Sequence, residues 1–310
     1  MAKKFIIGID LGGTNLKCAL LDGGLKVKAR SYFETKSFDS KVKLISGISD
    51  SILRFIKEHE LAASSIEGIG IGVPGPVDTY KGIVHFFPNI PGWNEVRLKD
   101  ILEAKLKLSV FIDNDAKLMA LAEYKAGAAQ GFKNALCLTL GTGVGAGLII
   151  NGLLYRGQDN AAGELGHVPI NEKGPICGCG SRACLESYIG NKAILKDARK
   201  IFGADITLEK ASKMAAEKNI RAIKLWGQVG TRLGIALSGV INLLNLDAVI
   251  IGGGVAAAGE VLFDNVKDTI LLRSMKVQSK RVKVLKASLG VNAGLIGAGY
   301  LVRERKEELR

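Results

Sequence analysis

Aromatic side chains make up only 6% of this 310-residue sequence. They do not interleave with its basic runs, such as Lys276 to Lys286, so the stacking platform of a single-stranded nucleic-acid binder is missing. No apolar run reaches the roughly 20 uninterrupted residues that cross a bilayer. The longest, Leu233 to Ala258, is broken by Asn242, Asn245, Asp247 and several glycines and reads as a buried helix followed by a buried strand. The start, Met1-Ala2-Lys3-Lys4, leads directly into a first strand at Phe5-Ile6-Ile7-Gly8-Ile9 and lacks the cleavage site of a secretory signal. No Walker A lysine motif occurs anywhere, which argues against a P-loop enzyme. The expectation is a soluble, cytoplasmic protein with neither membrane nor nucleic acid as partner. Its net charge of +13 is spread along the chain, as on a solvated surface that helps attract phosphorylated ligands.

The sequence has ample material for two domains: 310 residues, of which 47% are hydrophobic. Its 39 glycines are concentrated in a few dense clusters, which suits tight turns near ligands better than a flexible linker. Two segments resemble each other. Ile9-Asp10-Leu11-Gly12-Gly13-Thr14 through Gly23 parallels Leu138-Thr139-Leu140-Gly141-Thr142-Gly143 through Gly152. Each reads as a strand, a glycine turn and a second strand. Such a duplication predicts two similar α/β domains facing each other across a cleft. The expected boundaries are 1–114 and 115–297, with a terminal helix over about 298–310 packing back on the first domain.

Glycine loops after a strand let successive amides approach an anion. Asp10-Leu11-Gly12-Gly13-Thr14 and Gly141-Thr142-Gly143 are therefore candidate phosphate loops, with Asp10 positioned to hold a hydrated Mg²⁺. An ordinary hairpin turn explains the first loop equally well when it is taken alone. Gly252-Gly253-Gly254, between a strand and an expected helix, suits a nucleotide, or close helix–strand packing. Asn114-Asp115 stands where a strand gives way to a helix. Either it caps the helix, or Asp115 takes a proton from a substrate hydroxyl, its ionised form favoured at a helix N-terminus.

His167, Cys177, Cys179 and Cys184 follow the spacing His-x9-Cys-x-Cys-x4-Cys. That spacing supplies the four ligands of a closed, structural zinc site, and clustered cysteines without a secretory signal favour metal over disulfides. Glu164 and Glu186 bracket this loop, so a bound metal would fix two carboxylates and an imidazole nitrogen, suitable partners for sugar hydroxyls. Cys18 and Cys137 read as core residues. His59 is expected to be exposed, and His85 has no evident partner.

Taken together, Asp10-Leu-Gly-Gly-Thr14, Pro74-Gly75-Pro76-Val77-Asp78, Pro88-Asn-Ile-Pro-Gly-Trp93, Asn114-Asp115, Gly141-Thr-Gly-Val-Gly145, Glu164-Leu-Gly-His167 and Cys177-Gly-Cys-Gly-Ser-Arg-Ala-Cys-Leu-Glu186 resemble the ROK family of repressors, open reading frames and sugar kinases. The resemblance covers essentially the whole chain. It implies an actin/hexokinase-like (ribonuclease H-like) fold, a homodimer, and phosphorylation of a hexose by ATP with Mg²⁺. By position it makes Asp115 the general base and assigns Gly75, Asn89, Asn114, Asp115, Glu164, His167 and Glu186 to the sugar. The two glycine loops would hold the ATP phosphates, and Gly253 and Gly254 would approach the adenosine. The family's repressors carry a winged helix-turn-helix ahead of the first glycine loop, for which this sequence leaves no room. Pro74-Gly75-Pro76 and Asn89-Ile-Pro-Gly-Trp93 look most like the glucokinase branch. N-acetylglucosamine, N-acetylmannosamine and fructose kinases share most of these motifs, polyphosphate is an alternative donor, and a non-catalytic sugar sensor is the other class. One departure stands out. Where the family has glycine before its third zinc cysteine, this chain has Ala183, at a cost of about 1 kcal/mol if the position is left-handed.

Overall fold

The computed structural model describes residues 4–12, 15–34, 39–87, 90 and 92–310. Gly13, Thr14 and Asn89, each expected at the site, lie outside the described residues. In chain order the elements are β1 (Phe5–Leu11), β2 (Asn15–Leu21), β3 (Val27–Glu34), α1 (Lys41–Glu58), β4 (Ile66–Val73), a short hairpin of β5 (Val77–Asp78) and β6 (Ile83–Val84), α2 (Leu98–Leu106), β7 (Val110–Asn114) and α3 (Asp115–Ala126). There follow β8 (Ala135–Leu140), β9 (Val144–Ile150), β10 (Leu153–Tyr155), α4 (Glu186–Ile189), α5 (Asn191–Phe202), α6 (Leu208–Ala216), α7 (Ile220–Leu244), β11 (Ala248–Gly252), α8 (Glu260–Arg273), α9 (Lys276–Ser279), β12 (Lys283–Lys286) and α10 (Ala293–Glu308).

The duplication is visible in the sheets. One sheet has the order β3-β2-β1-β4-β7 and the other β10-β9-β8-β11-β12. In each, three strands form an antiparallel meander, and two further strands add in parallel beside the first strand of that meander. Parallel addition needs a crossover, which α1 and α2 supply in the first unit and α4 to α7 and then α8 in the second. This repeated topology is the actin/hexokinase-like, ribonuclease H-like α/β fold.

Sequence pattern explains the strand positions. Central β1 and β4 are near-continuous apolar runs that stay buried, whereas edge strand β3 alternates between half-buried and exposed residues. Helix α1 starts at Ser40, whose hydroxyl accepts from the Lys43 amide, and turns Leu44, Ile48, Ile52 and Phe55 into the first core. The second core is built around Trp226, Leu233 and Leu237 of α7. Cys18 and Cys137 are fully buried in their strands.

The chain divides into two compact units: Met1–Ala126 with Arg156–Ala162 and Val291–Arg310, and Gly127–Tyr155 with Gly163–Gly290. Helix α3 therefore lies in the first unit, whereas the sequence boundary at 114/115 put it in the second. The reason is packing. Helix α10 lies against β1, β4 and α3, and Gly297 has no side chain where a Cβ would strike the Leu118 carbonyl. Lys125 of α3 also pairs with Glu304 of α10 at 3.0 Å. Both histidines set aside in the sequence differ from expectation. His59 is half-buried, edge-on to Phe55 with ring centroids 4.6 Å apart, and His85 Nδ1 lies 2.7 Å from Glu95. No described helix is long and apolar enough to cross a membrane.

Candidate active site and metal centre

Strand register brings the first set of candidate residues to one end of the first sheet. Asp10 pairs with Gly72, Gly72 with Asp113, and Val73 with Asn114, so Asp10, Pro74-Gly75 and Asn114-Asp115 all leave the carboxyl ends of parallel strands. Open α/β sheets place their ligands at such ends. The Asn114 carboxamide accepts from the amides of Ala116 and Lys117, each at 3.1 Å, and donates to the Gly75 carbonyl at 3.1 Å. Asn114 is thus the cap of α3, and it ties Gly75 to the same turn. Asp115 is the first residue of the helix, its carboxylate 2.8 Å from the Ala116 amide. The cap reading of Asn114-Asp115 therefore falls on Asn114. Asp10 is held by Lys17, its cross-strand partner, at 2.8 Å, and its carboxyl carbon lies against Gly294 in the first turn of α10.

Sequence reading missed the groups that fix this turn. Asp113 is fully buried. One of its oxygens accepts from the Asn114 amide at 2.8 Å, and the other accepts from Arg156 Nε at 3.0 Å and Nη2 at 2.9 Å. Lys117, also buried, donates from its ammonium to the Asn160 carbonyl. The segment Arg156–Ala162 is thereby clamped on β7 and α3. A carboxylate inside the apolar strand Val110-Phe111-Ile112 signals that a cation must meet it, but nothing local says which. Removing one partner of a buried pair costs about 3–5 kcal/mol, because the other charge is left uncompensated. Arg156→Met should lower the urea midpoint accordingly, and the double variant with Asp113→Asn should recover most of that loss. A wild-type midpoint in Arg156→Met would show that the pair contributes nothing.

In the second unit, Gly141 follows β8, and Gly253-Gly254 follow β11 beside it, where Gly252 pairs with Thr139. Thr142 is exposed, with Gly141 and Gly143 half-buried around it. The helix expected after Gly254 is a correction. Gly254–Ala258 forms a 3₁₀ turn, and α8 begins only at Glu260, so no α-helix N-terminus stands at the three glycines. Gly253 has φ +84°, and a Cβ there would strike the backbone of Leu140. Strand packing thus accounts for Gly253, while the space around Gly254 is open.

His167, Cys177, Cys179 and Cys184 converge, their ligand atoms all within 4.8 Å of one another. Tetrahedral zinc, with bonds of about 2.3 Å to sulfur and 2.0–2.1 Å to nitrogen, requires ligand–ligand edges of about 3.8 Å and 3.6 Å. Cys179 Sγ and Cys184 Sγ are 3.7 Å apart, and Cys177 Sγ lies 3.6 Å from His167 Nδ1. The donor set fits the ion. Burial pushes the Cys177 thiol up, but hydrogen bonds from the Cys179 amide, Ser187, Cys179 and His167 outweigh it and bring it down to about 7. Cys184 is pushed up to about 11 by burial and by the neighbouring Cys179 and Cys177, the mutual strain that a dication among thiolates relieves. Ala183 has φ +56°, so the left-handed position is real and carries its cost. With Nδ1 turned to the cysteines, His167 Nε2 faces Glu164 at 4.0 Å, too far for a direct hydrogen bond. Glu186 heads α4, two residues past Cys184.

Known proteins resemble this chain in sequence and in fold. The ROK family model matches residues 6–305. The chain is 34% identical to a glucokinase of Thermotoga maritima over 98% of this chain and 99% of that one. It is 32% identical to a xylose repressor of Caldicellulosiruptor bescii, over 96% of this chain and 77% of the repressor. A crystal structure of a ROK-family glucokinase from Streptomyces griseus, in complex with glucose and AMPPNP, superposes with a TM-score of 0.83 at 30% identity, covering 97% of this chain and 99% of that one. A family model spanning nearly the whole length, on this duplicated fold, makes the chain a member of the ROK family.

Proposed function

We propose that this chain is a sugar kinase that transfers the γ-phosphoryl group of ATP to a hexose hydroxyl, with glucose the substrate and glucose 6-phosphate the product. The observation that carries the reading is the placement of Asn114-Asp115: Asn114 caps α3, and the Asp115 carboxylate stands in the first helical turn at the carboxyl end of β7. Helix N-terminal placement favours its ionised form, which a general base requires. In this reading Asp115 accepts the hydroxyl proton as the sugar oxygen attacks the γ-phosphorus in line. Asn114, Gly75, Glu164, His167 Nε2 and Glu186 orient the sugar, and Asn89 joins them by position. Amides of the loops at Gly12 to Thr14 and Gly141 to Gly143 offset charge on the phosphates. Asp10, steadied by Lys17, stands at the first loop, and Gly254 leaves open space for the adenosine. Mg²⁺ bound with the nucleotide would neutralise part of the phosphate charge. Zinc at the histidine–cysteine cluster would hold the loop between Glu164 and Glu186 in shape, with four protein ligands leaving no open position for chemistry.

Similarity to both kinases and a repressor favours one second reading, a sugar-binding regulator without turnover. ADP release from purified protein with Mg-ATP, tested against glucose, fructose, mannose and the two N-acetylhexosamines, separates the two. Glucose-dependent turnover is expected. Turnover only with an N-acetylhexosamine or fructose would keep the kinase and move its substrate. No turnover with any sugar, using ATP or polyphosphate, would overturn the kinase.

A further inference from the structure

The half-buried carboxylate of Glu186 is already engaged by the second phosphate loop. Its Oε2 accepts from the Val144 amide at 2.9 Å, and a Cβ at Gly143 would collide with that same oxygen. The loop is held at its other end too. The Asn191 amide donates to the Gly141 carbonyl at 2.8 Å, and the Gly190 amide returns to the Glu186 carbonyl at 2.9 Å. Val144 is also fixed from behind, because Gly166 of the Glu164–His167 turn lies where any Cβ would strike the Val144 carbonyl. Loop and sugar-binding motifs are thus packed together within one unit, and Glu186 is the charged group at their junction.

We propose that Glu186 is a positioning residue for the nucleotide: one oxygen fixes the Gly141–Val144 loop in its phosphate-binding shape while the other is offered to the hexose. This rests on the reading of that loop as a phosphate site given above. A carboxylate hydrogen-bonded to an amide holds it more strongly than a neutral acceptor does. Fixing the same carboxylate with a sugar hydroxyl then fixes the loop, so hexose and nucleotide tighten each other's binding, and by linkage the factor is the same in both directions.

The test is calorimetric binding of Mg-AMPPNP to the full chain without any sugar, in wild type, Glu186→Ala, Glu186→Gln, Gly143→Ala and Gly143→Ala/Glu186→Ala, each with its thermal midpoint recorded. Glu186→Ala should weaken nucleotide binding on the order of tenfold or more. Glu186→Gln, which keeps an acceptor of the same shape, should recover most of it. Gly143→Ala should weaken binding by displacing the carboxylate, whereas the double variant should be no weaker than Glu186→Ala alone, since the colliding group is gone. An unchanged nucleotide affinity in Glu186→Ala, alongside lost glucose affinity, would overturn the proposal and leave Glu186 a sugar contact only. Strict additivity of the two single changes would overturn it as well. Absence of nucleotide binding in the wild type would be a different failure, that of the phosphate-loop reading itself.

Discussion

Asp115→Asn should lower kcat by a factor of about 10²–10⁴, the range a positioned general base supplies, while the KM for glucose stays within about threefold. The asymmetry follows from local geometry. Asparagine is isosteric with aspartate and can still accept the 2.8 Å hydrogen bond from the Ala116 amide, so the turn should keep its shape. The helix loses no cap either, because that role belongs to Asn114, which accepts from Ala116 and Lys117. What disappears is the acceptor for the hydroxyl proton, needed only in the transition state. A group used only there lowers kcat and kcat/KM together and leaves KM alone. Steady-state kinetics over a glucose series reads the two constants separately. A loss shared equally by kcat and glucose affinity would make Asp115 a sugar contact rather than the base.

The parts of this fold legible in the sequence were those governed by local pattern. Strand–glycine–strand repeats at Asp10 and Gly141 became two antiparallel hairpins, in which Leu11 pairs with Leu16 and Leu140 with Val144. The cluster of His167, Cys177, Cys179 and Cys184 was legible because three cysteines and a histidine at short spacing have few other uses. What was not legible depends on partners far apart in the chain. Arg156 meets Asp113 from 43 residues away, as Asn160 meets Lys117, and Glu186 meets Val144 from 42 away. The buried Asp113 carboxylate in an apolar strand called for a cation without naming which. Gly253 also carries a constraint from far along the chain. A glycine run after a strand looks like a ligand loop, and at this position the Leu140 backbone leaves no space for a side chain, which no spacing rule reveals.

Purified protein should contain about one zinc per chain, and stripping it should abolish hexose-dependent turnover while lowering the thermal midpoint. The segment between Val168 and Cys184 contains no helix or strand. Backbone hydrogen bonds from the Ile170 amide to Ala183 and from the Ala183 amide to Pro175, each at 2.9 Å, and isolated bridges at Pro169–Cys184 and Ile176–Arg182 hold it, and Ile176 is 69% exposed. Structural zinc binding is worth on the order of 10 kcal/mol, far more than the roughly 1 kcal/mol that left-handed Ala183 costs. The metal would therefore dominate the local free energy. Its loss would release His167 and, two residues past Cys184, Glu186, so sugar affinity should fall along with fold stability. Cys184→Ser is the sharper variant, since serine nearly preserves the fully buried volume while replacing a soft thiolate with a poor zinc ligand. Metal analysis, glucose binding and the thermal midpoint should then fail together, and zinc restored to the stripped wild type should recover all three. A protein that is metal-free as purified and fully active would remove zinc from the site and leave the four side chains as a buried thiol cluster.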